Sequence, residues 1–416
     1  MNLPAPLQAL LQHVSAAGGR GWLVGGSIRD HLLGKRPKDL DIEVHGLEAA
    51  ALKRTLSALG PVKAVGRSFG VFKLRLGRDE LDISLPQPGR SRTPQGQAVQ
   101  IAGDPHMGIT EALRRRDLTI NAIAYDPLSN EYADPFDGRG DLSRRILRAV
   151  DEHTFADDPL RVLRVMQFAG RLGFAPTPAL SALCRSLPIE DLPSERLLTE
   201  FEKLLLKSPR PSIGLAAARE ADIFARLFPA LDAVEPAALD AALDAAAAVR
   251  RQYQPPLALM LATLLHRCTS EDTEAILDRL KVFTMGGYPM RKRVGYAAAH
   301  WRELAQGPVT DVRLRWMAED GEVELTARVA QAVTGRAETT DILHHAVTMG
   351  IARRRLPPLL KGRDLSAQGI PPGPWMGDIL RRVRSAQLDG TICNKEQATR
   401  LSVRLWKEDT PQGGAV

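Results

Sequence analysis

Asp39, Asp41 and Glu43 alternate with Leu40, Ile42 and Val44 along the stretch KDLDIEV. Strand side chains change face at every residue, so this spacing puts three carboxylates on one face and three apolar side chains on the other. Carboxylates crowded in this way repel one another unless solvent or cations hold them. Two of them two residues apart suit a pair of Mg²⁺ ions, which take oxygen ligands and sit ~3.5–4 Å apart in phosphoryl-transfer sites. Asp39 and Asp41 are therefore the candidate metal ligands. A turn at Gly25-Gly26 follows the apolar strand end Leu23-Val24, and Ser27 is placed to cap a helix over Ile28–Leu33 that Gly34 ends. A glycine turn opening a helix brings backbone N–H groups to a phosphate. For a lone D-x-D, a solvated acidic edge strand is the better reading. The run G-G-S-I-R-D, ending nine residues before Asp39, favours the chemical one.

GGSIRD followed by KDLDIEV resembles the first signature of the class II tRNA nucleotidyltransferase and poly(A) polymerase family, within the polymerase β superfamily. The resemblance implies an α+β chain. A small mixed-sheet, polymerase β-like nucleotidyltransferase head would span 1–150, and a helical neck that selects the nucleobase 151–206. A helical body with a degenerate phosphohydrolase-like region would occupy 207–345, and a helical RNA-binding tail 346–416.

The elements that must position the acidic strand are legible on either side of it. Leu3, Leu7, Leu10, Leu11 and Val14 recur at helical spacing over 3–17, and Leu47–Leu59 reads as a second helix ended by Gly60. Val62–Leu76, with Gly66 and Gly70, reads as a bend or hairpin. Leu81–Leu85 alternates again; if it lies beside the D-x-D strand, Asp82 is the third carboxylate, ahead of Asp79, Glu80 and Glu43. Residues 87–107 lack periodicity and read as a mobile loop. Relatives often carry an arginine where Gln87 stands and a Gly-His-rich stretch beyond it; this chain has PQPGRSRTPQGQAVQ. Such loops are implicated in switching nucleotide specificity in the family.

The run RRRDLTINA, Arg114 to Ala122, is similar to the family's second signature, R-R-D-x-T-x-N-A. Arg116 can pair with phosphate oxygens, Asp117 can accept from a ribose hydroxyl or orient Arg116, and Asn121 can donate and accept. Gly25, Gly26, Arg29 and Arg116 are the expected phosphate-binding residues, and Asp117 and Asn121 join them in the expected nucleotide-binding set. DPFDGRGDL matches a looser third signature, and Asp141 is placed to cap a helix over Leu142–Val150. Beyond residue 151 the alternation gives way to helical patterning. Ala156-Asp157-Asp158-Pro159-Leu160-Arg161 resembles the family's E-D-x-x-R, with Asp157 in place of glutamate. Asp158, Arg161 and Arg164 share a helical face. A carboxylate beside a guanidinium can match a base edge that offers an amino donor next to acceptors, as cytosine and adenine do. The alternative is a local salt bridge. Arg196 and Glu200 can pair at i,i+4 to brace the neck.

The bulk numbers bound the rest. The 416 residues carry 56 basic and 49 acidic side chains; residues 281–416 alone hold 21 and 14, so the excess of seven sits in the last third. Such a basic segment suits a polyanion, and Arg353, Arg354, Arg355, Lys361, Arg363, Arg381, Arg382 and Arg384 are its candidate RNA contacts. Aromatic residues make up only 5%, which favours shape and backbone reading over base stacking. Three scattered cysteines fit a reducing compartment, and no apolar run is long enough to cross a bilayer, so a cytoplasmic protein without membrane or obligate protein partner is expected. Many relatives carry an H-D phosphohydrolase pair; here Arg267 follows His266, and that metal site is expected to be absent. The resemblance implies template-independent addition or repair of the 3′ CCA of tRNA from CTP and ATP with two Mg²⁺. Partial CC- or A-addition, poly(A) synthesis, and an RNA-binding protein with a retired site remain open at this point.

Overall fold

The computed structural model describes residues 3–37, 40–64, 70–76, 79–87, 90–92, 98–100 and 103–409. Asp39, one of the two expected metal ligands, lies outside them. The chain forms two compact units: Met1–Leu204 with Ile213–Pro229, and Leu205–Ser212 with Ala230–Val416.

The first unit begins with α1 (Ala5–Ala16), whose Leu7, Leu10, Leu11 and Val14 are buried as their spacing requires. Strand β1 (Arg20–Val24), helix α2 (Gly26–Leu32), strand β2 (Asp41–His45) and helix α3 (Ala49–Ser57) follow. Strands β3 (Val62–Ala64) and β4 (Val71–Leu76) pair antiparallel, as the hairpin reading requires, and β5 (Asp79–Ser84) returns along β4. The stretch expected as a loop holds a small antiparallel ladder of β6 (Arg90–Arg92) and β7 (Ala98–Gln100); its remaining residues at 88–89, 93–97 and 101–102 are outside the described ones. After α4 (Ile109–Arg114) and a 3₁₀ turn at Thr119–Asn121 come β8 (Ala124–Asp126) and β9 (Glu131–Ala133).

The mixed sheet runs β3-β4-β5-β2-β1-β8-β9. Its one parallel ladder, β2 with β5, sits at the centre, with antiparallel neighbours outside it. Ile42, Val44 and Ile83 are buried, as the alternation of β2 and β5 demands.

Two capping expectations fail. Ser27 does not cap α2: its Oγ donates back to the Val24 carbonyl at 2.9 Å, and Gly25 takes the cap position with φ +69°. Asp141 lies inside α5 (Gly138–Arg144), behind the cap residue Asp137. There it is fully buried and accepts from Thr119 Oγ1 at 2.7 Å, with Arg144 and Arg148 on its other side.

A short parallel pair, β10 (Ile146–Leu147) and β11 (Ala175–Pro176), brackets α6 (Glu152–Ala156) and α7 (Leu160–Leu172), and α8 (Pro178–Ser186) and α9 (Ser194–Lys207) follow. Helix α7 buries Val162, Leu163, Val165, Met166 and Phe168. The second unit is helical throughout its described residues, and no described helix is long and apolar enough to cross a membrane. Its C-terminal helices, Trp375–Leu388 and Lys395–Asp409, pack around Leu365, Ile379, Val383 and Leu405.

Candidate active site

The glycine turn and the acidic strand meet because β1 and β2 are hydrogen-bonded neighbours in which Val24 faces Asp41. The turn therefore follows directly on the residue opposite the carboxylate. A Cβ on Gly25 would stand 3.1 Å from Arg116 Nη1 and 3.7 Å from Asp41 Oδ2, in a backbone conformation with positive φ. Glycine is required there twice over, by backbone angle and by space. Across the parallel ladder Asp41 is in register with Asp82, so both side chains leave the sheet on the same side, on strands about 4.8 Å apart. Lys73, opposite Asp82 on β4, reaches Asp82 Oδ1 at 3.1 Å and Glu80 Oε1 at 2.7 Å. Asp41 and Asp82 offer a hard divalent cation the oxygen ligands it takes, but Lys73 engages Asp82, and the described residues hold no cluster of three or more ligating side chains.

Glu43 is different. It is buried, accepts from His45 Nε2 at 3.1 Å and from Arg116 Nη2 at 3.3 Å. Burial pushes its carboxyl pKa up, but His45 and Arg116 outweigh this and hold it below the usual glutamate value. It anchors Arg116 from behind the turn.

A second chain of contacts runs from α2 to α7. Arg29 donates to Asn121 Oδ1 at 2.7 Å, and Asn121 Nδ2 donates to Asp117 Oδ1 at 2.9 Å. Asp117 also accepts from the Leu118 N–H at 2.8 Å and from Arg164 Nε at 2.6 Å. Burial would raise the Asp117 pKa; Arg164, Asn121 and the Leu118 N–H overcome it and hold the carboxyl below its ordinary value. Asp117 therefore orients Arg164 and Asn121, not Arg116. Of the two roles expected for Asp117, the orienting one falls to Arg164, 47 residues away in sequence.

Asp158 and Arg161 both line the site; the Arg161 N–H donates to the Asp158 carbonyl at 2.9 Å, but their side chains do not pair. Asp158 Oδ2 accepts from Arg196 Nη2 at 2.7 Å, while Arg161 donates to the Thr154 and Arg115 carbonyls at 2.5 and 2.7 Å. Among the described residues neither an Asp158–Arg161 salt bridge nor the expected Arg196–Glu200 brace forms; Asp158 pairs with Arg196. Glu200 accepts from Lys203 Nζ instead, at 2.7 Å.

Many of these side chains line one cleft of about 510 Å³; the expected third carboxylate, Asp82, and Glu43 are not among its lining residues. Gly25, Gly26, Arg29, Asp41, Arg116, Asp117, Asn121, Asp158, Arg161 and Arg164 all line it. The sequence reading missed Arg115, Gln167, Phe168, Arg171 and Lys203, which line it too. The signal for three of them was present: 161, 164, 167/168 and 171 continue a single helical row.

Three family models match the chain. The Poly A polymerase head domain covers residues 21–148, the probable RNA- and SrmB-binding site of polymerase A covers 178–235, and the putative tRNA nucleotidyltransferase domain 2 covers 260–401. Over these segments the chain is similar to tRNA nucleotidyltransferases and poly(A) polymerases. Among similar proteins, the Multifunctional CCA protein of Xanthomonas campestris pv. campestris (strain B100) is 37% identical over 220 residues, 51% of this chain and 52% of that protein. That of Aromatoleum aromaticum is 36% identical over 273 residues, 61% of this chain and 64% of that protein. The chain thus spans about half to two thirds of the length of these curated relatives. The fold is that of solved CCA-adding enzymes. The Bacillus stearothermophilus enzyme in complex with CTP superposes with a TM-score of 0.63 at 24% identity, over 98% of this chain and 99% of the other. The Thermotoga maritima enzyme complexed with tRNA gives 0.62 at 21% identity, over 97% and 96%.

His266, which Arg267 follows in the sequence, falls in the second unit and is fully buried. Its Nδ1 lies 2.7 Å from the Thr263 carbonyl, and the Trp301 ring stands edge-on. Several of the expected tail cations are tied down internally: Arg353 by Glu322 and Glu324, Arg355 and Arg384 by Glu319, and Arg381 by Asp378. Arg353, Arg355 and Arg381 are exposed despite these pairings, as are Arg354, Lys361, Arg363 and Arg382, and only Arg384 is half-buried.

Proposed function

We propose that the chain is a template-independent tRNA nucleotidyltransferase of the cytoplasm that adds or repairs the 3′-terminal CCA from CTP and ATP. One observation carries this reading: the glycine turn, Asp41 and the Asp158–Arg161 pair line the same cationic cleft. In the reaction the RNA 3′-hydroxyl oxygen bonds to the α-phosphorus of the nucleotide. The bond from that phosphorus to the β-bridging oxygen breaks, and pyrophosphate leaves with the electron pair. Asp41 and Asp82, with Asp39, would hold two Mg²⁺, which supply an acidified hydroxyl and neutralise the leaving group. Arg116, held by Glu43, and Arg29, held by Asn121, bind phosphate oxygens, with Gly25 and Gly26 allowing close approach.

Asp158, steadied by Arg196, accepts from the base amino group, and Arg161 donates to the adjacent acceptors. The division into head, neck, body and tail, with RNA held by the exposed tail cations, belongs to the same proposal. The test is product analysis with tRNA transcripts ending before CCA and at CC, and with a non-tRNA oligomer, given CTP and ATP separately. Stepwise C, C and A on the transcripts, and none on the oligomer, supports the reading. CC alone, A alone, or an A-tail on the oligomer replaces it with the corresponding narrower or different polymerase.

A further inference from the structure

Eight cationic side chains line the cleft of the first unit, and among the described residues six of them have a carboxylate partner. Arg29 has Asp30, Arg115 has Glu111, Arg116 has Glu43, Arg164 has Asp117, Arg196 has Asp158 and Lys203 has Glu200. Arg161 and Arg171 do not. Arg161 is accounted for by two backbone carbonyls and its proposed base contact. Arg171 has one polar partner only, the neutral Gln167 Oε1 at 2.9 Å.

Arg171 is also partly withdrawn from water. Its guanidinium packs on Phe168 with Cζ 5.6 Å from the ring centroid, and Arg29 and Arg164 approach the same ring at 5.1 and 5.2 Å. Burial pushes its pKa down, and Arg29 adds to the effect by like-charge repulsion. A guanidinium desolvated beside two others, with an amide as its only acceptor, is poorly compensated. Its planar fork matches phosphate oxygens. Lys203, reaching the cleft from α9, is held at the same wall by Glu200, which is itself 2% exposed with Oε2 unpartnered.

We propose that Arg171 and Lys203 add phosphate contacts to the wall of the cleft lined from α7 and α9, beside Arg29 on the Phe168 ring. This rests on the proposed polymerase reading and extends it. The phosphate comes either from the β,γ end of the nucleotide or from the last phosphodiester of the RNA; the binding chemistry is the same.

The experiment measures equilibrium binding of inorganic pyrophosphate, of CTP, and of a labelled tRNA transcript ending at CC, each alone. It compares the wild-type chain with Arg171→Ala, Arg171→Gln and Lys203→Gln. Loss of about tenfold or more for pyrophosphate and CTP, with RNA unchanged, assigns these contacts to the triphosphate. The same loss for RNA alone, with a salt slope shallower by about 0.7–0.9, assigns them to the primer. Unchanged affinity for all three probes in the soluble Arg171→Gln chain overturns the proposal. Because these are binding measurements, they stand even if the wild-type chain adds no nucleotide, an outcome that would instead defeat the polymerase reading.

Discussion

Replacing Asp117 by asparagine removes one charge from the centre of the Arg29–Asn121–Asp117–Arg164 chain while keeping its shape. The carboxylate is 6% exposed, and Arg164 Nε donates to it at 2.6 Å. A hydrogen bond to a charged group contributes ~1.5–3 kcal/mol, and the asparagine NH₂ would face the Arg164 donors. The Arg164 side chain is 33% exposed, so water recovers part of the loss, and about 2 kcal/mol is expected. Amide hydrogen exchange localises this to the first turns of α7 and the Leu118–Asn121 segment, where about 2 kcal/mol is about thirty-fold faster exchange. The pH dependence has a defined sign. The folded pKa of Asp117 is below its ordinary 3.8, so its stabilisation is complete above that value and is lost as pH falls through the folded pKa. The difference between wild type and Asp117→Asn should hold constant from about pH 8 to pH 5 and shrink below about pH 4. Equal exchange rates at neutral pH, or a difference that grows on acidification, would refute the reasoning.

Gly25→Ala meets both a positive φ and Arg116 Nη1 at 3.1 Å, so CTP binding measured by titration should weaken about tenfold and the unit should lose about 1–3 kcal/mol of stability, read as a lower melting temperature. Glu43→Gln loosens Arg116 without touching substrate; initial rates should show the nucleotide KM raised about tenfold and kcat changed less than about threefold. An unchanged KM would contradict the anchoring role. In the second unit the buried Glu322 accepts from Tyr253 at 2.6 Å and Tyr288 at 3.0 Å, and pairs with Arg293. Glu322→Ala should cost about 3–5 kcal/mol of that unit's stability, read by denaturant titration; a loss below about 1 kcal/mol would show the network to be dispensable.

Much of the first unit was legible because its signals are local. The alternation of Asp41–His45 and of Leu81–Leu85 fixed two strands, and the same alternation made Asp82 the candidate beside Asp41 if those strands paired. What escaped depends on residues distant in sequence. Asp158 has Arg161 three residues away, yet Arg196, 38 residues on, takes its carboxylate; spacing along one helix cannot rank such partners. Ser27 stands where a cap belongs, but the positive φ of Gly25 turns its hydroxyl toward the Val24 carbonyl. The tail's arginines read as a basic patch, whereas Glu319, Glu322 and Glu324 claim several of them.

The account turns on carboxylates of adjacent strands serving the transfer step. The decisive measurement is nucleotide addition and RNA affinity of Asp41→Asn and Asp82→Asn side by side with wild type. Turnover should fall about a thousandfold or more in Asp41→Asn, and substantially in Asp82→Asn, while the RNA Kd stays within about twofold. Nucleotide addition by Asp41→Asn at the wild-type rate would contradict it.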